Sequence, residues 1–318
     1  MTLLLGAHMS VSGGLHRAVE RVRSVEGTAL QIFTRNQRQW KAAPLSPEEV
    51  RLWHVAWREW GPYPVTSHAS YLINPANPDP EKVERSLQAL ADELARCALL
   101  GIPSVVLHPG SHLGRGVDAG LAQAARTMDL ALERSAEAAL RMRAHLEQES
   151  AKEQDRAKDS LANPVETAPR ILLENTAGQG TNLGADFAEL VAILEHSRLP
   201  ERYGICLDTC HAFAAGYDVR TPQALDQTLD ALDRAVGLEH LAFLHLNDCK
   251  TNLGSRKDRH EHIGEGRIGE SGFCAIMRSS RLRGRPMVLE TDKDETLTQD
   301  VRNLDLLRRL YADPESAP

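Results

Sequence analysis

The chain has 318 residues, of which 42% are hydrophobic and 25% charged, a composition typical of a soluble globular protein and not of a disordered or fibrous one. Its formal net charge of −7 argues against non-specific binding to polyanions, although bound cations or a local basic patch still allow a nucleic-acid partner. No apolar run approaches the roughly 18 residues that a membrane span needs, so we expect no membrane partner.

The N-terminal segment is predicted to be a first strand, because residues 1–5 carry no basic region and no cleavage site follows them. The five cysteines are odd in number and lack the paired spacing of a zinc ribbon, which argues against a disulfide framework. We therefore expect reduced cysteines and a cytoplasmic protein.

Short apolar segments alternate with longer amphipathic ones along the chain. About eight β and eight α units without a long linker predict a single (β/α)₈ TIM-barrel domain over residues 1–318. A doubly wound sheet is the alternative, but it rarely draws site residues from so many strands. Helical patterns cover, for example, residues 81–100 and 121–145. The predicted strands cover residues 3–7, 29–34, 64–69, 104–108, 170–174, 203–208, 241–246 and 286–290.

One segment, residues 145–168, interrupts this alternation because it is polar, charged with both signs and almost free of large apolar residues. It follows a helix and precedes a strand, so we predict an insertion or an extended helix end on the bottom face of the barrel, remote from the chemistry. The tail at residues 312–318 is predicted to be frayed.

Six predicted strands end on an imidazole or a carboxylate, where a buried strand is usually followed by Gly, Asn or Pro. Because the C-terminal ends of parallel strands meet at one rim of a barrel, these side chains are expected to converge. Buried carboxylates are costly unless they are paired or bound to a metal, so the pattern predicts a metal site. The six residues are His68, His108, Glu174, Asp208, His245 and Glu290.

Three more candidate ligands lie close to these strand ends. His211 lies three residues after Asp208, and Asp258 and His260 lie two apart in the loop after the seventh strand. Nine ligands at roughly four per zinc predict two or three ions. A set with this many histidines favours Zn²⁺ or Mn²⁺ over Mg²⁺ or Ca²⁺, which prefer oxygen ligands.

Several long motifs of the chain resemble the endonuclease IV family of apurinic/apyrimidinic (AP) endonucleases. The three most specific are residues 68–74 (HASYLIN), residues 204–211 (GICLDTCH) and the segment from His245 to His260. Further matches at residues 6–8, 33–40 (FTRNQRQW) and 173–175 extend the resemblance from the first strand to Glu290.

The resemblance implies a barrel that holds three Zn²⁺ ions. The first ion would be held by His68, His108 and Glu174. Glu174 would bridge to a second ion, completed by Asp208, His245 and Glu290. The third would be held by His211, Asp258 and His260.

The resemblance also gives two of these ligands a catalytic role. Glu174 would bridge the first two ions, and Glu290 would orient or deprotonate the attacking water. His262 is an alternative ligand to His260, although the spacing from Asp258 favours His260. Cys210 is expected beside the site at most.

In function, the resemblance implies hydrolysis of the phosphodiester 5′ to an abasic site in double-stranded DNA, leaving a 3′-hydroxyl and a 5′-deoxyribose phosphate, with trimming of blocked 3′ ends. A rim site reaches this bond only if the sugar is extruded, so side chains must fill the gap. The wedge residues would be Arg38, Tyr71 and Leu72, with phosphate contacts from Arg35, Lys41, Arg256, Lys257 and Arg259. We expect a monomer.

Two other functions compete with this one. Metal-bearing barrels of the same superfamily rearrange small sugars, so a sugar isomerase or epimerase is the first. Such sites usually need fewer metals and lack a wedge. The second is a DNA-damage binder without catalysis, which would require a lost ligand, and none of the nine is missing from the sequence.

Overall fold

The computed structural model describes residues 2–152 and 168–312. Its strands, in chain order, are β1 (Leu5–His8), β2 (Leu30–Ile32), β3 (Val65–His68), β4 (Ser104–Leu107), β5 (Arg170–Glu174), β6 (Tyr203–Asp208), β7 (Leu241–His245), β8 (Asp248–Cys249), β9 (His260–Glu261) and β10 (Met287–Leu289). Its α-helices are α1 (Leu15–Ser24), α2 (Pro47–Trp60), α3 (Pro80–Leu100), α4 (Val117–Lys152), α5 (Phe187–His196), α6 (Thr209–Ala215), α7 (Pro222–Val236), α8 (Gly269–Arg278) and α9 (Thr298–Ala312). Short 3₁₀ turns at Pro200–Arg202 and Leu238–His240 lead into β6 and β7.

Eight of these strands close into a parallel barrel in the order β1-β2-β3-β4-β5-β6-β7-β10, with β10 paired back to β1. The predicted TIM barrel is therefore confirmed, and closure excludes the doubly wound sheet. Each barrel strand lies within two residues of its predicted bounds at both ends. The remaining pair, β8 and β9, forms a small antiparallel sheet outside the barrel.

The barrel interior is filled by a compact apolar layer. Successive side chains of a strand point to opposite faces, so residues two apart share a face. Five members of this layer stand two positions before a predicted ligand, which places those ligands on the inward face one layer higher. The layer consists of Ala29, Val106, Leu172, Cys206, Phe243 and Val288, all 3% exposed or less.

Residues 145–152 of the polar segment are helical, because α4 continues to Lys152. The predicted place of the whole segment on the bottom face stays a prediction. Residues 153–167 lie outside the described part of the chain, as do residues 313–318 of the predicted tail. Across the residues described here, the helices lack the combination of length and apolar character needed to span a bilayer.

Candidate metal centre

The nine predicted ligands lie together at the C-terminal rim of the barrel. His68, Glu174, Asp208 and His245 are the last residues of their strands, while Glu290 directly follows β10. His108 likewise follows β4, and the other three ligands lie in α6 and around β9. The donor atoms of these residues form three groups, and within each group they lie within 4.8 Å of one another.

The first group is centred on the carboxylate of Glu174. Its Oε2 atom lies 3.1 Å from His68 Nε2 and 2.9 Å from His108 Nε2, whereas its Oε1 atom lies 2.9 Å from His245 Nδ1. The two oxygens thus face different imidazoles, an orientation that suits a carboxylate shared between two ions.

The second group shares Glu174 and adds three residues from β6, β7 and the end of β10. His245 Nδ1 lies 3.1 Å from Glu290 Oε2 and 3.8 Å from Asp208 Oδ2. Glu174, Asp208 and His245 are fully buried, so this group is the most deeply buried part of the site.

The third group lies between α6 and β9. His211 Nε2 is 3.2 Å from Asp258 Oδ2, and His260 Nε2 is 3.4 Å from Asp258 Oδ1. Pairing of Cys249 with His260 in the β8–β9 sheet returns the long loop to the rim and places His260 opposite His211.

Asp208 and His211 belong to different groups although they are three residues apart. Asp208 Oδ1 accepts a hydrogen bond of 2.7 Å from the His211 backbone N–H and thereby caps α6. The other oxygen, Oδ2, lies 3.8 Å from His245 Nδ1 of the second group and 3.7 Å from His260 Nε2 of the third. Asp208 is thus the N-cap of the short helix α6, and His211 lies in the first turn of the same helix.

Cys210 and His262 are two further candidate ligands, and the Cys210 Sγ atom lies within 4.8 Å of donor atoms of Asp208 and His260. Contact with Cys249 and burial raise the pKa of the Cys210 thiol far above its usual range, which disfavours the thiolate that binds metal. Its Sγ donates to the Arg259 carbonyl at 3.5 Å. The ring of His262 faces the Asn303 side chain, with His262 Nδ1 3.0 Å from Asn303 Nδ2.

Three histidines have a ring nitrogen committed to an oxygen acceptor outside the ligand groups. His68 Nδ1 lies 2.7 Å from the Ala69 carbonyl, and His211 Nδ1 lies 3.0 Å from the Asn175 carbonyl. His245 Nε2 lies 2.9 Å from Gln31 Oε1. If each of these nitrogens carries the proton, the second nitrogen turns its lone pair into the site, as metal-ligating histidines do. The donor set therefore fits divalent metal ions.

The charges in the site depend on one another. Burial opposes ionisation of Glu174, but the imidazoles of His108 and His245 outweigh it and lower the pKa of Glu174 well below its usual range. Burial also opposes protonation of His211, whereas Asp208 and Asp258 raise its pKa well above normal. The buried Glu174 carboxylate is thus ionised and requires positive charge nearby, from protons or from cations.

Four polar residues that the sequence had not assigned to the site support the ligands. Asn247 donates to Asp208 Oδ2 at 2.6 Å and accepts from the Glu290 backbone N–H at 2.8 Å. Asn175 Oδ1 accepts from the Asp208 backbone N–H at 2.7 Å. Asn175 directly follows Glu174 and Asn247 lies two residues after His245, so their positions within the motifs were an available signal.

Gln31 and His8 support Glu290 from the first two strands. The Gln31 side chain donates to Glu290 Oε1, and His8 Nδ1 lies 3.2 Å from the same oxygen. His8 belongs to a segment that already resembles the family, but Gln31 is a single polar residue within a short apolar strand and gives no sequence signal.

A cavity of about 780 Å³ opens above the ligands. His68, His108, His260 and Glu290 line its floor, and residues 35–38 of the loop after β2 line one side. Tyr71 lies in the loop after β3 with 67% of its surface exposed, Arg38 is exposed, and Leu72 is half-buried. The predicted wedge residues therefore lie on two successive rim loops.

Arg35 is placed differently from expectation. It is 7% exposed, and its guanidinium contacts the Glu93 carboxylate at 3.4 Å and donates to the Ala89 carbonyl at 3.1 Å. These internal bonds engage the Arg35 guanidinium, so they do not support its predicted phosphate contact, although Arg35 lines the cavity. The other four predicted phosphate contacts are exposed, namely Lys41, Arg256, Lys257 and Arg259.

Comparisons with known proteins agree over nearly the whole chain. The family described as xylose isomerase-like TIM barrel matches residues 19–310. The chain is 51% identical over 307 residues to "Probable endonuclease 4" of Oleidesulfovibrio alaskensis, covering 96% of this chain and 95% of the relative. It is 45% identical to "Probable endonuclease 4" of Chloroflexus aurantiacus, covering 98% and 99%.

Solved structures also match nearly the whole chain. The crystal structure of endonuclease IV from Thermus thermophilus matches with a TM-score of 0.78 at 36% identity, over 97% of this chain and 98% of that one. A D-tagatose 3-epimerase-like protein matches with a TM-score of 0.66 at 18% identity, over 96% of each chain, which shows a shared fold.

Proposed function

This chain belongs to the endonuclease IV family, and we propose that it is a DNA-repair endonuclease that hydrolyses the phosphodiester 5′ to an abasic site in duplex DNA, leaving a 3′-hydroxyl and a 5′-deoxyribose phosphate. The observation that carries this proposal is the convergence of nine imidazole and carboxylate groups into three clusters beneath an open cavity. The names of the full-length relatives support it.

The three groups are proposed to hold three divalent ions, with Zn²⁺ favoured by the mixture of nitrogen and oxygen donors. When bound, such ions act as Lewis acids that lower the pKa of water and offset charge on a phosphate. The first ion would be held by His68, His108 and Glu174. Glu174 also belongs to the second group, with Asp208, His245 and Glu290. The third ion would be held by His211, Asp258 and His260.

Glu290 is proposed to orient or deprotonate the attacking water. Burial opposes its ionisation, but His245 and His8 outweigh this and lower the pKa of Glu290 well below its usual range. The carboxylate is therefore ionised at neutral pH and lines the cavity, where its oxygens can accept hydrogen bonds from a water molecule and orient it. Gln31 and His8 hold one of its oxygens and fix its orientation.

The residues on the two rim loops are proposed to recognise the lesion. An abasic nucleotide has no base to stack or pair, so its sugar leaves the duplex at low cost. Tyr71 and Leu72 would fill the resulting gap, and Arg38 would contact the backbone beside it. A blocked 3′ end presents a similar phosphodiester to the same open cavity, so trimming of such ends is proposed as a second activity.

A sugar isomerase or epimerase is the competing function. Structures of sugar epimerases share the barrel, but at 12 to 18% identity this similarity shows only a common fold. A small sugar needs neither an exposed tyrosine at the rim nor three ligand groups.

The test is a nicking assay on a duplex with one abasic site, performed with zinc-replete protein of measured metal content. Incision on the 5′ side of the lesion, with no incision of the intact duplex, is expected. A protein that leaves the abasic duplex uncut but isomerises a free ketose would be an isomerase instead.

A further inference from the structure

Two rim loops carry the proposed wedge residues. The first, the Arg38 loop, comprises residues 33–46 and connects β2 to α2. The second, the Tyr71 loop, comprises residues 69–79 and connects β3 to α3. Exposed side chains at the tips of two separate loops keep a fixed spacing only if the loops are held to the barrel and to each other.

The Arg38 loop is held from below by buried charged residues of α3. Glu93, 1% exposed, accepts from Thr34 Oγ1 at 2.7 Å and lies 3.4 Å from the Arg35 guanidinium. Arg96, 5% exposed, donates to the Thr34 carbonyl at 2.7 Å and to the Ala43 carbonyl at 2.9 Å. These bonds hold both ends of the loop against one helix.

The Tyr71 loop is held on its other side by Asn74. The Asn74 side chain donates to the Ser111 carbonyl at 3.0 Å and accepts from the Ser111 backbone N–H at 2.9 Å. This pair of bonds ties the Tyr71 loop to the segment that follows β4, so that the Tyr71 loop is itself a firm anchor.

Between the two tips lies the hydroxyl of Ser70. Ser70 is 4% exposed, and its Oγ donates to the Gln37 carbonyl at 2.6 Å. The same Oγ accepts from the Leu72 backbone N–H at 3.2 Å. One hydroxyl thus bonds to the residue before Arg38 and to the residue after Tyr71.

We propose that Ser70 is a positioning residue that fixes the spacing between Arg38 and the Tyr71–Leu72 pair, so that the two loops recognise a damaged duplex as one preorganised unit. The proposal rests on the function proposed above for the recognition step. Preorganisation of a binding surface reduces the ordering cost that would otherwise be subtracted from affinity. Loss of the hydroxyl is therefore expected to weaken binding of the lesion while the metal ligands stay in place.

Hydrogen exchange in the absence of DNA tests the coupling directly, with Ser70→Ala compared with wild type. Because a hydrogen bond of about 1 kcal/mol corresponds to roughly fivefold in an equilibrium, amides of residues 36–42 and 71–74 should exchange about fivefold faster in the variant. The matched control is Ser135→Ala, since Ser135 is 6% exposed and donates to the Leu132 carbonyl within α4. Unchanged exchange at residues 36–42 in Ser70→Ala would overturn the proposal.

Kinetics with an abasic duplex test the consequence. Ser70→Ala should raise KM about tenfold with kcat within about twofold and metal content unchanged, because a displaced wedge affects binding before chemistry. In an Arg38→Ala background, the further effect of Ser70→Ala should fall below about twofold, since coupled residues are not additive. Equal effects in both backgrounds would refute a role through Arg38.

If wild type fails to incise the duplex, the proposed function fails, whereas the exchange experiment still decides whether Ser70 couples the loops.

Discussion

The Nε2 atoms of His211 and His260 lie 3.4 Å apart; Asp258 Oδ2 lies 3.2 Å from the first and Asp258 Oδ1 lies 3.4 Å from the second. A single proton between the two nitrogens makes a hydrogen bond only between the two imidazoles. A cation bound at this place would interact with both imidazoles and with the Asp258 carboxylate. This arrangement leads to the first prediction, on metal removal.

Removal of metal by a chelator is expected to abolish incision and to lower the Tm. The cause is that buried carboxylates such as Glu174 and Asp208 lose the cations that offset their charge. A ligand that binds only the folded state at 100 times its Kd adds about 2.7 kcal/mol of stability, so the shift should be readily measured by thermal unfolding. Adding back Zn²⁺ should restore both properties, and a chelated protein with unchanged activity would contradict the metal centre.

Glu290→Gln is expected to reduce incision by about a thousandfold or more while abasic-DNA binding persists. The amide preserves the shape of the side chain but cannot accept the proton from water. Single-turnover incision, DNA affinity and metal content should be measured together. The control is Glu239→Gln, an exposed carboxylate that precedes β7 at the opposite end of the barrel. Retained turnover in Glu290→Gln would show that this carboxylate is not the base.

The barrel and the convergence of the nine predicted ligands could be predicted from the sequence because both follow from short-range rules. A parallel barrel brings all strand ends to one rim, and the alternation of side chains along each strand places Glu174 above Leu172 without any knowledge of tertiary contacts. The contacts of the residues that support the ligands and the rim loops depend instead on long-range packing, which the sequence alone does not show. Arg35 contacts Glu93 across 58 positions of sequence, and only the fold shows that its charge is neutralised internally.

Asn247→Ala is expected to lower metal affinity about 10- to 100-fold, the usual effect of losing a group that orients ligands. The cause is that Asn247 donates to Asp208 and accepts from the Glu290 backbone N–H, so its loss frees two members of the second ligand group. Metal titration against a competing chelator measures this. Thr28→Ala serves as the control, because it removes a side chain that bonds to the Leu3 carbonyl at the far end of the barrel. Equal metal affinity in wild type and Asn247→Ala would refute the orienting role.

Tyr71→Ala is expected to weaken binding to an abasic duplex about tenfold or more without loss of metal, since aromatic contact with a base contributes roughly 1–3 kcal/mol. The side chain is 67% exposed, so its removal should leave the Tm nearly unchanged. The control is Tyr311→Ala, in which a partly exposed tyrosine of α9 is removed away from the rim. Loss of metal in Tyr71→Ala, measured by elemental analysis, would mean that the residue supports the metal centre instead.

Deletion of residues 147–163 is expected to leave incision and metal content intact. The described part of this segment, up to Lys152, extends α4 beyond Leu146, which is 1% exposed and is the last residue of this helix in the buried core. In a barrel of this kind the helix that precedes β5 ends at the face opposite the metal centre, so the shortened connection still has to reach only Arg170 at the start of that strand. Turnover on the abasic duplex and Tm should be measured for the deletion variant and wild type. A large fall in kcat with an unchanged Tm would show that the segment acts on the chemistry and that its predicted place on the bottom face is wrong.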